Sequence, residues 1–264
     1  MSGPSWPLPT TKMPDEDPAE RSAPHHIGSA LLHLIFPAPC HTCGLPLDRG
    51  RRGPLCSRCW QGLEHSPLDG CARCGQPLTA AGADRPLCSR CRARPDAFVI
   101  ARAPFLYRES GTVRAAVLLA KHAGHLGLLR ALADALAREG PTYLPIENWE
   151  GLIPVPLHWR RRWRRGLNQA EVLARAVGQR HGLPVVRRAL VRTRPTPPQH
   201  GGPEARRQNV QDAFRVRRPD QVVGRRLLLI DDVFTTGATA DACATALGAA
   251  GATAVGVLTL ARVA

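Results

Sequence analysis

The chain is short of lysine, aromatic residues and long apolar runs. Of its 36 basic side chains only Lys12 and Lys121 are lysines, and aromatics make up 5% of its 264 residues. No apolar run approaches the roughly eighteen residues of a membrane-spanning helix, which excludes a transmembrane helix. No Gly-Lys-Ser/Thr closes a Walker loop, and no Gly-x-Gly-x-x-Gly opens a dinucleotide-binding fold. Met1 to His26 has no basic start followed by an apolar stretch, so no secretory signal is expected. Its proline- and acid-rich composition predicts a disordered stretch over 1–27. No carboxylate, histidine or cysteine stands out as a general base.

What the chain has in excess is arginine, giving a formal net charge of +15. Two readings stand. A basic excess favours anionic partners, either nucleic acid or phosphorylated small molecules. An arginine-heavy composition is also what a GC-rich genome writes everywhere.

The run Leu227-Leu228-Leu229-Ile230-Asp231-Asp232-Val233-Phe234-Thr235-Thr236-Gly237-Ala238-Thr239 carries the most chemistry. Four consecutive apolar residues suit a strand buried on both faces of a parallel sheet. Two carboxylates stand at its carboxyl end, where open α/β sheets bind ligands. The hydroxyl-rich turn that follows opens into a helical pattern, and a helix start offers unpaired N–H groups and a positive dipole end to a phosphate. Carboxylates beside a phosphate repel it unless they serve sugar hydroxyls or a divalent cation, so the ligand read from these residues is a ribose phosphate. The run is similar to the phosphoribosyl pyrophosphate (PRPP) loop of type I phosphoribosyltransferases, apolar-D-D-x-x-T-T-G-x-T. The resemblance implies that Asp231 and Asp232 hold the ribose hydroxyls, and that Thr235, Thr236, Gly237, Ala238 and Thr239 wrap the 5′-phosphate.

Eight of the nine cysteines form four CxxC pairs: Cys40/Cys43, Cys56/Cys59, Cys71/Cys74 and Cys88/Cys91. The segment is duplicated, since Cys40 to Leu47 is echoed by Cys71 to Leu78, and Pro54 to Cys59 by Pro86 to Cys91. Two residues between thiolates let both sulfurs reach one tetrahedral cation, and a following glycine permits the tight knuckle. Two structural Zn2+ sites are therefore expected, paired either sequentially or crossed. Disulfides need an oxidising compartment, and a thioredoxin-type pair uses a single CxxC beside a βαβ unit. Such ribbons act as metal-stapled scaffolds, protein-binding knuckles or nucleic-acid contacts. Cys243 reads as core filler in the helix after the phosphate loop.

Ile27 to Phe36 reads as a short helix. The division expected is 1–27 disordered, 28–95 short helix plus double four-cysteine ribbon, and 96–264 an α/β domain. In the last, Ala97 to Leu106 is β-prone, Ser110 caps a helix bearing Val113, Val117 and Leu118 on one face, and Leu126 to Arg138 is a helix ended by Gly140-Pro141. Leu152 to Val155 and Val185 to Val191 read as strands. Asn168 with Glu171 forms a capping box for a helix ending at His181, with Gly182 as its stop. A helix over Thr239 to Ala250 and a strand over Ala254 to Leu260 follow the phosphate loop. Strands alternating with helices predict an α/β fold with a mostly parallel sheet flanked by helices.

Arg160-Arg161-Arg162-Trp163-Arg164-Arg165 places five arginines at the end of a strand, before a helix. Guanidinium forks match phosphate oxygens, and tryptophan stacks on a base or on another arginine. Thr193 to Gly202 is rich in proline and glycine. The constellation of a double CxxC ribbon, Lys121-x-x-Gly124, the arginine run through Ala170, Gln199 with Arg206 and Asn209, and the acidic phosphate loop resembles the ComF family of competence proteins over roughly 28–264. That resemblance implies a phosphoribosyltransferase-like fold with an N-terminal zinc-ribbon module and a cytoplasmic role in natural transformation. It implies PRPP with Mg2+ as ligand, with Arg160 and Arg161 on the pyrophosphate and Gln199, Arg206 and Asn209 in the hood over the site. Its implied partners are single-stranded DNA, with Arg162, Trp163, Arg164 and Arg165 as contacts, and DNA-uptake or helicase proteins. Two functions stay open: a PRPP-binding protein working on DNA, or an active phosphoribosyltransferase that passes ribose 5-phosphate to a nitrogen acceptor.

Overall fold

Four leucine and isoleucine side chains, Leu227 to Ile230, are fully buried at the centre of the molecule. Each contributes roughly 1.5–3 kcal/mol of burial. The computed structural model describes residues 39–47, 53–78, 86–93, 96–122, 125–157, 167–193 and 213–264. Its strands are β1 (Ile100–Arg102), β2 (Phe105–Tyr107), β3 (Gly151–Pro154), β4 (Leu190–Arg192), β5 (Phe214–Val216), β6 (Arg226–Phe234) and β7 (Ala254–Val263). Its α-helices are α1 (Ser57–Gln61), α2 (Ser89–Ala93), α3 (Thr112–Ala120), α4 (Leu126–Tyr143), α5 (Gln169–His181) and α6 (Ala238–Ala249). The expected disordered 1–27 and the helix over Ile27 to Phe36 lie outside the described residues.

The main sheet runs β1–β7–β6–β3, with β2 also on β7, and every pairing in it is parallel. A separate antiparallel pair joins β4 to β5. This is the α/β fold expected. Alternation along β6 splits the core. Leu228 and Ile230 face a cluster with α3, α4, α5 and the first ribbon's Cys40, Cys56 and Cys59. Leu227 and Leu229 face one with α6, Phe214 and the second ribbon's Cys71, Cys74 and Cys91. Residues Pro39–Ala264 thereby form one compact unit.

Several local expectations are corrected. The β-prone stretch before α3 is two short strands, interrupted at Ala103 and Pro104, both lying on β7. The N-cap of α3 is Gly111, without a side-chain bond, in place of Ser110. Val113 and Val117 are buried, but Leu118 is 38% exposed and leaves the buried face. The helix begins after Asn168 and stops at Gly182 (φ +69°) as expected, but without a capping box. Asn168 Nδ2 donates instead to the Val155 carbonyl at 3.0 Å, and the Glu171 carboxylate pairs with Arg175 and Arg187. The strand read over Val185 to Val191 divides at Arg188, whose φ is +61°. Val185 makes one parallel bridge to Leu152, and β4 starts at Leu190.

The helix expected to stop at Gly140-Pro141 runs through both to Tyr143. Proline lacks the N–H that would reach the Ala137 carbonyl four residues back. His181 Nε2 donates to that carbonyl at 2.8 Å, so the missing bond is replaced from α5. Gly140 lies so close to β7 that a Cβ there would stand 3.0 Å from Leu258 Cδ2.

Candidate functional site

At the end of β6 the chain turns through Thr235–Gly237 into α6. Gly237 is the N-cap with φ +78°, and a Cβ there would sit 2.8 Å from Phe234 Cζ, so the turn requires glycine. Ala238 N–H donates to Thr236 Oγ1 at 3.4 Å, and Asp241 N–H to the Gly237 carbonyl at 2.8 Å. Among the described residues, the N–H groups of Thr235, Thr236 and Gly237 have no acceptor. Three open donors at the start of a twelve-residue helix are an arrangement that can accept an anion.

The two carboxylates precede these donors inside β6, and alternation turns them to opposite sides. Asp232 faces α3, where Lys121 Nζ lies 3.1 Å from its Oδ2. A narrow crevice there is lined by Val117, Ala120, Gln169, Leu173, Asp232 and Leu260 among others. The buried Gln169 side chain donates to the Lys121 carbonyl at 3.5 Å, which fixes the turn that carries the lysine. Asp231 faces α6, and its Oδ1 accepts the Asp232 N–H at 2.9 Å. Desolvation, and then the charge of Asp232, push the Asp231 pKa up from 3.8 to about 8, against the pull of Lys121 and Arg192. Arg192, at the end of β4, also stacks its guanidinium over Phe214 at 5.4 Å. The carboxylates and the open amides thus share one end of the sheet, where the sequence pattern placed them.

The cysteines gather sequentially into Cys40/Cys43/Cys56/Cys59 and Cys71/Cys74/Cys88/Cys91, with all four sulfurs of a set within 4.8 Å of one another. That arrangement resolves the sequential-or-crossed alternative. Cys43 Sγ to Cys56 Sγ and Cys74 Sγ to Cys88 Sγ are both 3.7 Å. A tetrahedral zinc with bonds of about 2.3 Å has sulfur edges of about 3.8 Å, so both sets fit Zn2+. Burial alone would raise the Cys40 pKa, but the amides of Cys43, Cys56 and Thr42 outweigh it and bring it to about 6. Cys71 is brought to about 6 in the same way by the amides of Cys74, Cys88 and Arg73. Thiolates are the ligand form for zinc.

The second ribbon is built into the sheet by arginines. Arg102 Nη2 donates to the Ala72 carbonyl at 2.9 Å, and the buried Arg262 donates to the Cys74 carbonyl and to Gln76 Oε1. Arg262 also stacks on Phe234 at 5.4 Å, and Phe98 meets the same ring edge-on at 5.8 Å. Cys243 is fully buried in α6.

Of the residues singled out in the sequence, Asp231, Asp232, Thr235 to Thr239 and the eight cysteines are brought into two kinds of site. Arg160, Arg161, Arg162, Trp163, Arg164, Arg165, Gln199, Arg206 and Asn209 lie outside the described residues. From the sequence, Lys121 appears only as part of a family pattern, and Arg192 and Gln169 do not appear as site residues. Lys121 had a signal: in a chain that writes nearly all its basic positions as arginine, a lysine is an exception that asks for a reason.

A family model described as a double zinc ribbon domain matches residues 31–94. The DNA utilization protein YhgH of Escherichia coli (strain K12) is 31% identical over 239 residues, covering 87% of this chain and 99% of that protein. Its Salmonella typhi counterpart is 31% identical over 235 residues with the same coverage. Competence protein F of Haemophilus influenzae is 39% identical over 92 residues, 34% of this chain and 40% of that protein. Similar solved structures include the glutamine PRPP amidotransferase from B. subtilis (21% identity, 49% of this chain, 25% of that chain, TM-score 0.33). Another is the hypoxanthine phosphoribosyltransferase from Trypanosoma cruzi (14% identity, 51% and 73% coverage, TM-score 0.32). Among the described residues, no helix is long and apolar enough to cross a membrane.

Proposed function

The chain belongs to the ComF family, that of its YhgH and competence protein F relatives, and from that premise we propose that it is a PRPP-binding protein that acts on DNA during uptake or utilization. One observation carries the ligand: three open main-chain N–H groups at a helix start, directly after two carboxylates at the carboxyl end of a parallel strand. The amides of Thr235 to Gly237 suit a terminal phosphate. Asp231 and Asp232 suit the neighbouring ribose hydroxyls, with Mg2+ arriving on the pyrophosphate. Arg160 and Arg161 are the proposed pyrophosphate contacts, and Gln199, Arg206 and Asn209 the proposed hood. We read the two zinc ribbons as structural, because six of their eight cysteines are buried and pack into the core clusters on the two faces of the sheet.

For the nucleic acid, the relatives' names and the net charge of +15 support a role on DNA; the proposal places it in the cytoplasm on single strands, with Arg162, Trp163, Arg164 and Arg165 as contacts and DNA-uptake or helicase proteins as partners. The deciding experiment titrates Mg2+-PRPP and a labelled single-stranded oligonucleotide into the protein, separately and together. PRPP should bind to wild type and not to Asp231→Asn/Asp232→Asn. Oligonucleotide affinity should fall steeply between 50 and 200 mM salt, as it does when several phosphates are neutralised together. PRPP binding that survives loss of both acids would remove the ligand assignment, and salt-independent DNA binding would remove the nucleic-acid one.

A second reading is active phosphoribosyl transfer, favoured by the carboxyl of Asp231, whose pKa near 8 suits proton exchange at neutral pH. It requires pyrophosphate release that depends on both PRPP and an added nitrogen acceptor. Binding without turnover against nucleobases and amines excludes it.

A further inference from the structure

The second ribbon touches the proposed phosphate cradle through one side chain. Arg90 lies between the zinc ligands Cys88 and Cys91, on α2. Its Nη1 donates to the Thr236 carbonyl at 2.8 Å and to Asp96 Oδ1 at 3.3 Å. Its Nη2 lies 3.0 Å from Asp96 Oδ2, a carboxylate whose side chain is 1% exposed, and 3.6 Å from Cys91 Sγ. One guanidinium therefore ties a metal-ligand sulfur, a buried carboxylate and the loop's backbone together.

The geometry of the peptide bond turns that contact into an orientation. The Thr236–Gly237 bond is trans, since no peptide bond among the described residues is cis. In a trans peptide the C=O and the following N–H point in opposite directions. Anchoring the Thr236 carbonyl on Arg90 therefore aims the Gly237 N–H away from the ribbon. That N–H is one of the three without an acceptor among the described residues. Gly237 also leaves room for the anchor, because a Cβ there would come within 3.2 Å of Arg90 Nη1. A further bond ties the same chain segment to the helix behind the loop: Ala97 N–H donates to Asp241 Oδ1, in the first turn of α6, at 2.7 Å. The first ribbon has no comparable bond to the loop among the described residues; it packs on the other face of the sheet.

We propose that Arg90 is a positioning residue for the anion cradle, and that through it the metal state of the Cys71/Cys74/Cys88/Cys91 site sets the phosphate affinity of the Thr235–Gly237 turn. This rests on the reading of that turn as the PRPP 5′-phosphate site. Loss of metal there releases the knuckle that holds Arg90, and the Thr236–Gly237 peptide is then free to rotate.

The test uses the full chain loaded with zinc. Arg90→Ala and Arg90→Met are compared with wild type by zinc content, by amide hydrogen exchange over Thr235–Thr239, and by calorimetric titration of Mg2+-PRPP. Glu64→Gln, at an exposed ion pair with Arg108, controls for general surface change. Both Arg90 variants should keep two zinc equivalents, exchange the loop amides faster, and bind PRPP about tenfold more weakly, as expected for one lost oriented bond. Arg90→Met keeps the side-chain stem and is read alone if Arg90→Ala drops its metal. Cys88→Ser should reproduce the loop exchange of the Arg90 variants. Wild-type loop exchange in zinc-loaded Arg90→Met would overturn the proposal. If wild type itself fails to bind PRPP, the ligand reading falls, and the exchange data still decide whether Arg90 holds the loop.

Discussion

Lys121 Nζ sits 3.1 Å from Asp232 Oδ2, with both side chains about a quarter exposed. This ammonium neutralises the Asp232 carboxylate, while desolvation and the Asp232 charge keep the neighbouring Asp231 protonated up to a pH of about 8. A lysine suits the task better than an arginine, because a compact point charge on a flexible stem can let go of Asp232 if the proposed sugar ligand binds there. Lys121→Ala should therefore lower stability by about 1 kcal/mol, the scale of a partly exposed pair. Urea denaturation at low and high salt checks this, and the loss should shrink as salt screens the pair.

The pH behaviour of the site has two opposite signs. The pKa of Asp231 in the folded chain, about 8, lies above its ordinary value of 3.8. Between those values the folded chain holds a proton that the unfolded chain has lost. This contribution to stability is fully present below pH 3.8 and is lost as pH rises toward 8. Asp231→Asn, which mimics the protonated acid, should flatten that decline in denaturation measured from pH 5 to 9. Affinity for Mg2+-PRPP should run the other way in wild type, rising by up to tenfold per pH unit below 8 as the carboxylate forms. Calorimetry across the same range checks the second half.

Zinc should leave the two ribbons at different rates. In the first set Cys43 is exposed, whereas no cysteine of the second set is exposed. The second knuckle is also closed over by Arg102 and Arg262. A chelator titration followed by a chromogenic zinc indicator should release one equivalent before the other. Cys43→Ser should abolish the fast phase, and Cys74→Ser the slow one. A single phase in wild type would show that the two sites open together.

The parts that could be read in advance were those whose chemistry is local in the chain. Asp231 to Thr239 and the CxxC pairs declare themselves within a dozen residues, because a helix start, a phosphate and a tetrahedral metal each need neighbouring groups. Arg90 was out of reach, since its partner Thr236 lies 146 residues away in sequence and a lone arginine in an arginine-rich chain has no local signature. The same holds for the capping box at Asn168. The residue types were right, but Val155 and Arg187 offered the side chains better partners than the helix's own amides.

Pro141 shows the same limit and allows a sharper test. As a local signal it ends a helix, yet α4 passes through it because His181 donates to the Ala137 carbonyl that proline leaves unpaired. His181→Ala should cost about 1–3 kcal/mol, the penalty for an acceptor stranded in a protein interior. Restoring a backbone N–H at the proline position removes the need for the histidine. In a Pro141→Ala background, residue 141 can bond the Ala137 carbonyl itself, and His181→Ala should then cost about 1 kcal/mol less. A double-mutant cycle by urea denaturation measures that difference directly. Equal costs in both backgrounds would mean that His181 stabilises the α4–α5 contact by packing alone, and that some other donor serves the carbonyl.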